Sequence, residues 1–266
     1  MALTELQKHV MAVIAANRSE SSYMAGGAVL NKDWFRLSDD LDIFHDTDAE
    51  IVATARADIA ALEAAGFAVT VDVIIYGVVE CTVSRDRQHT IVQWMSETRV
   101  RYFPLVRDSE WGVRLHAADL SINKVVAAST RTAARDFIDL LTIDANFCAL
   151  GPLVLAASGK PPNFSPQKII DEIRRRALSV PAESYMSVRG LPANMSVDQI
   201  RVGLVAALDR AEAYIHAVDP RLVGVLSVND AGMPVEVKGE TGDGVSLRRT
   251  TAEIEEVPTI LDEPSD

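Results

Sequence analysis

The chain is poor in several things, and each shortage removes a class of protein from consideration. Cysteine occurs twice in 266 residues, at Cys81 and Cys148. Two thiols so far apart, with no paired spacing, indicate neither a disulfide framework nor a cysteine zinc site, and both read as buried thiols. The five histidines, His9, His45, His89, His116 and His216, are scattered without metal-ligand spacing. No apolar run approaches the roughly 18 residues that a membrane-spanning helix needs. The N-terminus shows no cationic stretch followed by an apolar core and cleavage site, so the expected location is cytoplasmic, with no membrane partner. Positive charge is also scarce: 26 Lys and Arg face 38 Asp and Glu, for a net charge of −12. A general nucleic-acid coat protein needs the opposite balance, because Lys and Arg do the phosphate neutralisation. A local basic stripe, such as Arg174, Arg175 and Arg176, remains compatible with that total. Gly159-Lys160 lacks the glycine five positions earlier and runs into Pro161-Pro162, so it is not a P-loop. No Gly-x-Ser-x-Gly elbow occurs either.

What is present describes a folded chain. Hydrophobic residues make up 48% and charged residues 24%, ordinary values for a globular protein able to bury a sizeable core. Apolar residues at helical spacing over about 3–17 predict an opening helix. A short helix at about 27–33 follows, then one over about 49–65 with Asp48 as its cap and Gly66 as its stop. Val-, Ile- and Thr-rich stretches at about 67–76, 78–84 and 89–95 predict strands. After Pro104 the pattern turns helical, with Asp119 capping a helix to about 129, a longer helix over 130–150, and others at about 166–178 and 197–218. The expected organisation is a mixed α/β core over 1–105, a helical domain over 106–226, and a mobile acidic tail over 227–266 that has room for one short strand. Trp34, Trp94 and Trp111 read as packing residues.

The most informative stretch is 25–44, where Gly26-Gly27 is followed by Arg36, Ser38 and the alternating carboxylates Asp40 and Asp42. On a strand the side-chain period is two, so Asp40 and Asp42 share one face while Leu41 and Ile43 enter the core. Two like charges side by side repel, and a divalent cation relieves that repulsion. Hard carboxylate oxygens suit Mg²⁺, which usually takes one or two carboxylates plus substrate phosphates. The glycine pair lets backbone N–H groups approach phosphate closely, since no β-carbon intervenes. These parts together describe a phosphate-and-metal site. A second constellation lies at 118–141: Lys124 sits in an apolar helix segment, and Arg135, Asp136 and Asp139 share a helical face opposite Phe137, Ile138, Leu140 and Leu141. Taken alone, it also fits a salt-bridge ladder between two helices.

Arg36-x-Ser38-x-Asp40-Leu41-Asp42-Ile43-Phe44 after Gly26-Gly27 resembles the signature of the abortive-infection AbiEii/AbiGii toxin-like nucleotidyltransferases. The helical Lys124 followed by Arg135-Asp136-x-x-Asp139 is similar to their downstream motif. The resemblance covers about residues 20–150. It implies an α+β fold, a small mixed β-sheet nucleotidyltransferase core with a helical C-terminal domain. It further implies transfer of a nucleoside monophosphate from an NTP, with Mg²⁺ held by Asp40 and Asp42. Gly26, Gly27 and the Ser38 hydroxyl would contact the outer phosphates, and Lys124 would place a positive charge on the triphosphate. Asp136 would orient Lys124 or activate the acceptor hydroxyl, with Arg135 and Asp139 in support. Arg36 is either a phosphate ligand or a strand-edge surface residue.

One position departs from the pattern. Many polymerase-like nucleotidyltransferases carry a third carboxylate on a later strand, where this chain has Gln93. Glu97, just beyond, and Asp72, on an earlier strand, are the candidate replacements, with Glu97 ranked first. The leading expectation is a toxin-like enzyme of a toxin–antitoxin or phage-defence system, with RNA (the tRNA 3′ end, for example) or protein as acceptor and an antitoxin protein as partner. The alternatives are a small-molecule nucleotidyltransferase of the aminoglycoside-modifying kind, and a nucleotide-binding or interaction protein without turnover.

Overall fold

A computed structural model describes residues 3–237 and 244–251, and the backbone of 261–262. The chain divides into two compact units, one comprising 1–99, 104–116 and 258–266, the other 100–103 and 117–257.

The first unit opens with α1 (Glu5–Ile14), started by a capping box in which the Thr4 and Gln7 side chains each bond the other's backbone N–H. Then come β1 (Ser22–Ala25), α2 (Gly26–Leu30), β2 (Asp40–His45) and α3 (Ile51–Ala64). Asp48 does not cap α3. It lies in a 3₁₀ turn ahead of the helix, and the nearby Ser96 and Tyr76 hydroxyls lower its pKa. The stop at Gly66 forms as expected: Gly66 takes φ +86°, its N–H reaches the Glu63 carbonyl, and the Phe67 N–H reaches that of Leu62. A β-carbon resists that left-handed conformation, which is why glycine ends the helix.

An antiparallel meander follows, β3 (Ala68–Ile75), β4 (Val78–Arg85) and β5 (Gln88–Ser96), then the short β6 (Val106–Asp108) and β7 (Gly112–Arg114). With a strand at Leu261–Asp262, the described residues form one eight-stranded mixed sheet. β2 lies between β1, antiparallel to it, and β5, parallel to it. The first unit therefore runs past residue 105, because β6 pairs with β7 and β7 with β1. One sheet face buries Leu41, Ile43, Val79, Cys81, Val83, Val92 and Trp94 against α1 and α3. Side chains of this size each contribute about 1.5–3 kcal/mol on burial. The other face carries the alternate residues of the same strands, Asp40 and Asp42 among them, half-exposed.

Beneath that core, Arg18 and Asp58 form a fully buried ion pair, and Asp58 also accepts from Asn17 Nδ2 at 2.7 Å and Trp94 Nε1 at 2.8 Å. Burial and the nearby Arg18 charge lower the pKa of His45.

The second unit is helical: α4 (Ala117–Thr130), α5 (Ala134–Asn146), α6 (Leu150–Ala157), α7 (Pro166–Ser179), α8 (Ala182–Met186) and α9 (Val197–Ala217). The helix expected over 130–150 is shorter, Ala134–Asn146, because the chain leaves helical geometry at Phe147, with φ −121° and ψ −65°. All eight residues of α6 are buried, so it shows no amphipathic period from which to read it. Residues 227 onward are not all tail. β8 (Leu226–Asn229) pairs antiparallel with β9 (Val245–Arg248), while 238–243, 252–260 and 263–266 lie outside the described residues.

Asp119 does not cap α4. Sitting in its first turn, it accepts the backbone N–H groups of Tyr102 and Phe103 at 2.9–3.2 Å. Lys160 Nζ reaches it at 2.8 Å. These bonds tie the short segment 100–103 to the helical unit. No helix among the described residues is long and apolar enough to cross a membrane.

Candidate active site

In the first unit the glycine pair, Arg36, Ser38 and the β2 acids come together. Gly26 opens α2 with φ +72°, and a β-carbon there would lie 1.7 Å from Asp42 Oδ2. One on Gly27 would lie 2.2 Å from Arg36 Nη2 and 3.2 Å from Ser38 Oγ. At Gly26 glycine is required because the Asp42 side chain, down to its Cβ, occupies the space, and at Gly27 any side chain would displace the Arg36 guanidinium. At Gly26 the left-handed φ adds a second reason. The room left by the missing β-carbons holds Asp42 and Arg36, where the sequence suggested room for phosphate.

Arg36 is 2% exposed, so the surface alternative for it does not hold; its Nη1 donates to the Leu37 carbonyl at 3.2 Å. Ser38, also buried, donates its hydroxyl to Asp40 Oδ1 at 2.9 Å. Behind it stands Gln7, which the sequence did not single out. Its Nε2 donates to the Ser38 carbonyl at 3.0 Å and to Thr90 Oγ1 at 3.1 Å. The Thr90 hydroxyl reaches the Asp39 carbonyl at 3.3 Å. A buried amide from α1 and a hydroxyl from β5 therefore hold the backbone from which Ser38 and Asp40 project. The only sequence signal was the capping-box spacing Thr4-x-x-Gln7.

The sheet register extends the acidic face sideways. Asp42 pairs with Gln93 on β5, and Gln93 with Glu80 on β4, so the three stand on one half-exposed face. The Gln93 amide Nε2 donates to Glu80 Oε2. Glu97, ranked first as the third carboxylate, is elsewhere. It follows the end of β5, four positions past Gln93, or about 13 Å at the usual rise per residue. Its Oε1 accepts the Thr98 N–H at 2.7 Å and the Thr98 hydroxyl at 3.1 Å. Asp72 sits at an irregularity of β3 and accepts from Thr82 Oγ1 at 2.7 Å. Glu80 was missed because it has no motif spacing to Asp42; only the strand order brings the two to one level.

In the second unit Lys124, Asp136 and Asp139 form a closed cluster. Lys124 Nζ lies 3.1 Å from Asp136 Oδ1 and 2.9 Å from Asp139 Oδ2, with both carboxylates fully buried and the lysine side chain 8% exposed. Arg131, also unforeseen, grips Asp136 with two bonds, Nε at 2.7 Å and Nη2 at 3.0 Å. Burial by itself pushes the Asp136 carboxyl up, but the charges and hydrogen bonds of Lys124 and Arg131 outweigh it and hold it down to about 2. Arg135 is half-buried on the same helix. The basic stripe of α7 is neutralised locally: Arg174 pairs with Asp209 and Glu212, and Arg175 and Arg176 with Glu172.

Two half-exposed carboxylates in one row, one seated in a glycine cradle, are a hard-oxygen donor set that fits Mg²⁺. Among the described residues no three His, Cys, Asp or Glu side chains converge on a metal position.

Solved structures share this fold. The chain is similar to the nucleotidyltransferase toxin MenT4 of Mycobacterium tuberculosis, with TM-score 0.52 and 14% identity over 82% of this chain and 84% of that one. It is similar to a Helicobacter pylori protein provisionally described as a nucleotidyltransferase, with TM-score 0.51 and 15% identity over 82% of this chain and 99% of that one. A third, JHP933 of Helicobacter pylori, has TM-score 0.50 and 13% identity over 80% and 95%. No family model and no curated protein sequence matches the chain.

Proposed function

We propose that the chain is a Mg²⁺-dependent nucleotidyltransferase that moves a nucleoside monophosphate from an NTP to an acceptor hydroxyl. The observation that carries this is the Asp40–Asp42 row beside Gly26, Gly27 and Ser38, on a fold shared with nucleotidyltransferases. The acceptor oxygen bonds to the α-phosphorus as the α–β bridging P–O bond breaks. The electron pair leaves with pyrophosphate, and the acceptor proton passes to solvent. Mg²⁺ held by Asp40 and Asp42 supplies neutralisation of phosphate charge during transfer. The backbone N–H groups of Gly26 and Gly27 would meet the outer phosphates, Arg36 stiffens that turn, and Ser38, whose hydroxyl is taken by Asp40, positions that carboxylate. Lys124 is held between Asp136 and Asp139 within the second unit, and Asp136, held down to about 2, is a poor proton acceptor near neutrality, so it does not act as base. Glu97, bonded to Thr98 and remote from the row, takes no part in the step.

The acceptor is a single hydroxyl, at an RNA 3′ end such as that of tRNA or on a protein. The net charge of −12 and the neutralised α7 arginines disfavour a long nucleic-acid track. The likeness to MenT4, a nucleotidyltransferase toxin, supports a toxin role with an antitoxin protein as partner. Incubation with each α-labelled NTP, Mg²⁺ and either total RNA or lysate protein tests the reading: label should enter one macromolecular fraction and be lost with Asp42→Asn. Gln93 in the third-carboxylate position favours one competitor, a nucleotide-binding protein without turnover. NTP binding with no label transfer to any acceptor would establish that competitor.

A further inference from the structure

We propose that Glu80 and Gln93 jointly replace the third carboxylate, Glu80 acting as a positioning residue that turns the Gln93 amide oxygen toward the cation held by Asp40 and Asp42. The inference rests on the metal reading of the β2 row made above.

Gln93 stands directly beside Asp42 in the β2–β5 register, and Glu80 directly beside Gln93 in the β5–β4 register. Neighbouring strands are about 4.8 Å apart, so Glu80 is roughly 10 Å from Asp42 along the sheet, too far to share its ion directly. Gln93 bridges that gap. A glutamine amide has a donor end and an acceptor end, and only the acceptor can ligate a cation. A carboxylate accepts hydrogen bonds and does not donate them, so Glu80 bonds Nε2 and no other atom of that amide. The charge-assisted bond selects one of the two amide flips, leaving Oε1 as the end free to turn away from Glu80. Without Glu80, the flip that aims the NH₂ group at a cation would be equally open.

The consequence is a site with two carboxylates and one neutral oxygen. Glu80 is half-buried on the open sheet face, and no third acid converges on the row among the described residues. Such a donor set balances the charge of one divalent cation and does not hold a second.

Mn²⁺ titration of the full chain, read by the EPR signal of free Mn²⁺, tests this without reference to turnover. Wild type should bind one Mn²⁺, and Asp42→Asn should abolish binding. Glu80→Gln, which can no longer enforce the flip, should weaken Mn²⁺ binding by about 10-fold or more, as removal of a partner behind a metal ligand does. Gln93→Leu should weaken it similarly. In the Gln93→Leu background, Glu80→Gln should have no further effect, because Glu80 acts through the amide. Thermal unfolding checks that each variant is folded, and Gln93→Met and Glu80→Leu serve where one is not. Unchanged binding in Glu80→Gln overturns the inference alone, as does equal weakening with and without the Gln93 amide, which would make Glu80 a distant charge. Two Mn²⁺ per wild-type chain, both lost in Asp42→Asn, also overturns it. If wild type binds no Mn²⁺, or Asp42→Asn binds it normally, the metal reading itself fails.

Discussion

Two pairs of aspartates in this protein meet the same electrostatic problem in opposite ways. Asp136 and Asp139, on α5, are fully buried, and Lys124 and Arg131 from the same unit neutralise them. Asp40 and Asp42, on β2, are left half-exposed, one bonded by a hydroxyl and the other set against a glycine Cα. A buried carboxylate must be paired inside the fold, since desolvation of a lone charge is too costly. The α5 pair is therefore built into the stability of the helical unit, whereas the β2 pair is suited to binding.

The largest expected effect falls on the β2 pair. Asp42→Asn should remove nucleotide transfer altogether and leave the melting temperature equal or higher, since one of two like charges is gone. Activity assays beside thermal denaturation would show it, and a large drop in melting temperature with activity intact would invert the comparison. Next comes the α5 cluster. Lys124→Ala removes the cation shared by two buried carboxylates and should cost about 3–5 kcal/mol in denaturant unfolding. Stability unchanged while NTP affinity collapses would make Lys124 a substrate ligand and no structural partner.

A smaller effect separates the pairs by pH. The folded Asp136 carboxyl is depressed to about 2 from its ordinary 3.8. Its stabilisation is thus fully present above pH 4, and is lost as pH falls through the folded value. Acid unfolding of wild type against Asp136→Asn should reveal about 2 kcal/mol of such dependence between pH 4 and 2. An identical profile in the two proteins would remove Asp136 as the acid-sensitive group. The least effect is expected at the surface. Arg174→Ala breaks pairs to Asp209 and Glu212 yet should cost no more than about 1 kcal/mol. A larger loss in urea titration would mean that the α7–α9 ion pairs matter as much as the buried cluster.

Legibility differed sharply between these regions. The β2 row was readable because strand alternation is local: Asp40 and Asp42 must share a face once the segment is a strand, and Leu41 and Ile43 must be buried. The two carboxylates of α5 were readable for the same reason at helical spacing, but their partner Arg131 precedes the helix and has no periodic relation to them. Asp48 and Asp119 were read as helix caps from sequence position alone. In the fold, longer-range partners took precedence over capping for Asp119, which accepts the Tyr102 and Phe103 amides. The helix α6 escaped notice because full burial erases the pattern that marks a surface helix.

By itself, then, the sequence determined what short-range geometry controls: the glycine pair, the acid-bearing strand, the lysine with its two aspartates, and the mixed sheet followed by helices. Only the tertiary structure decided which distant residues complete those groups. Gln7 lies 31 positions from Ser38, and Glu80 and Gln93 reach one level with Asp42 through the order β2–β5–β4. Strand order and register are set by how whole faces pack into the core, a property of the assembled chain. No local spacing encodes it, and so the neighbours of Asp42 could be learned only from the fold.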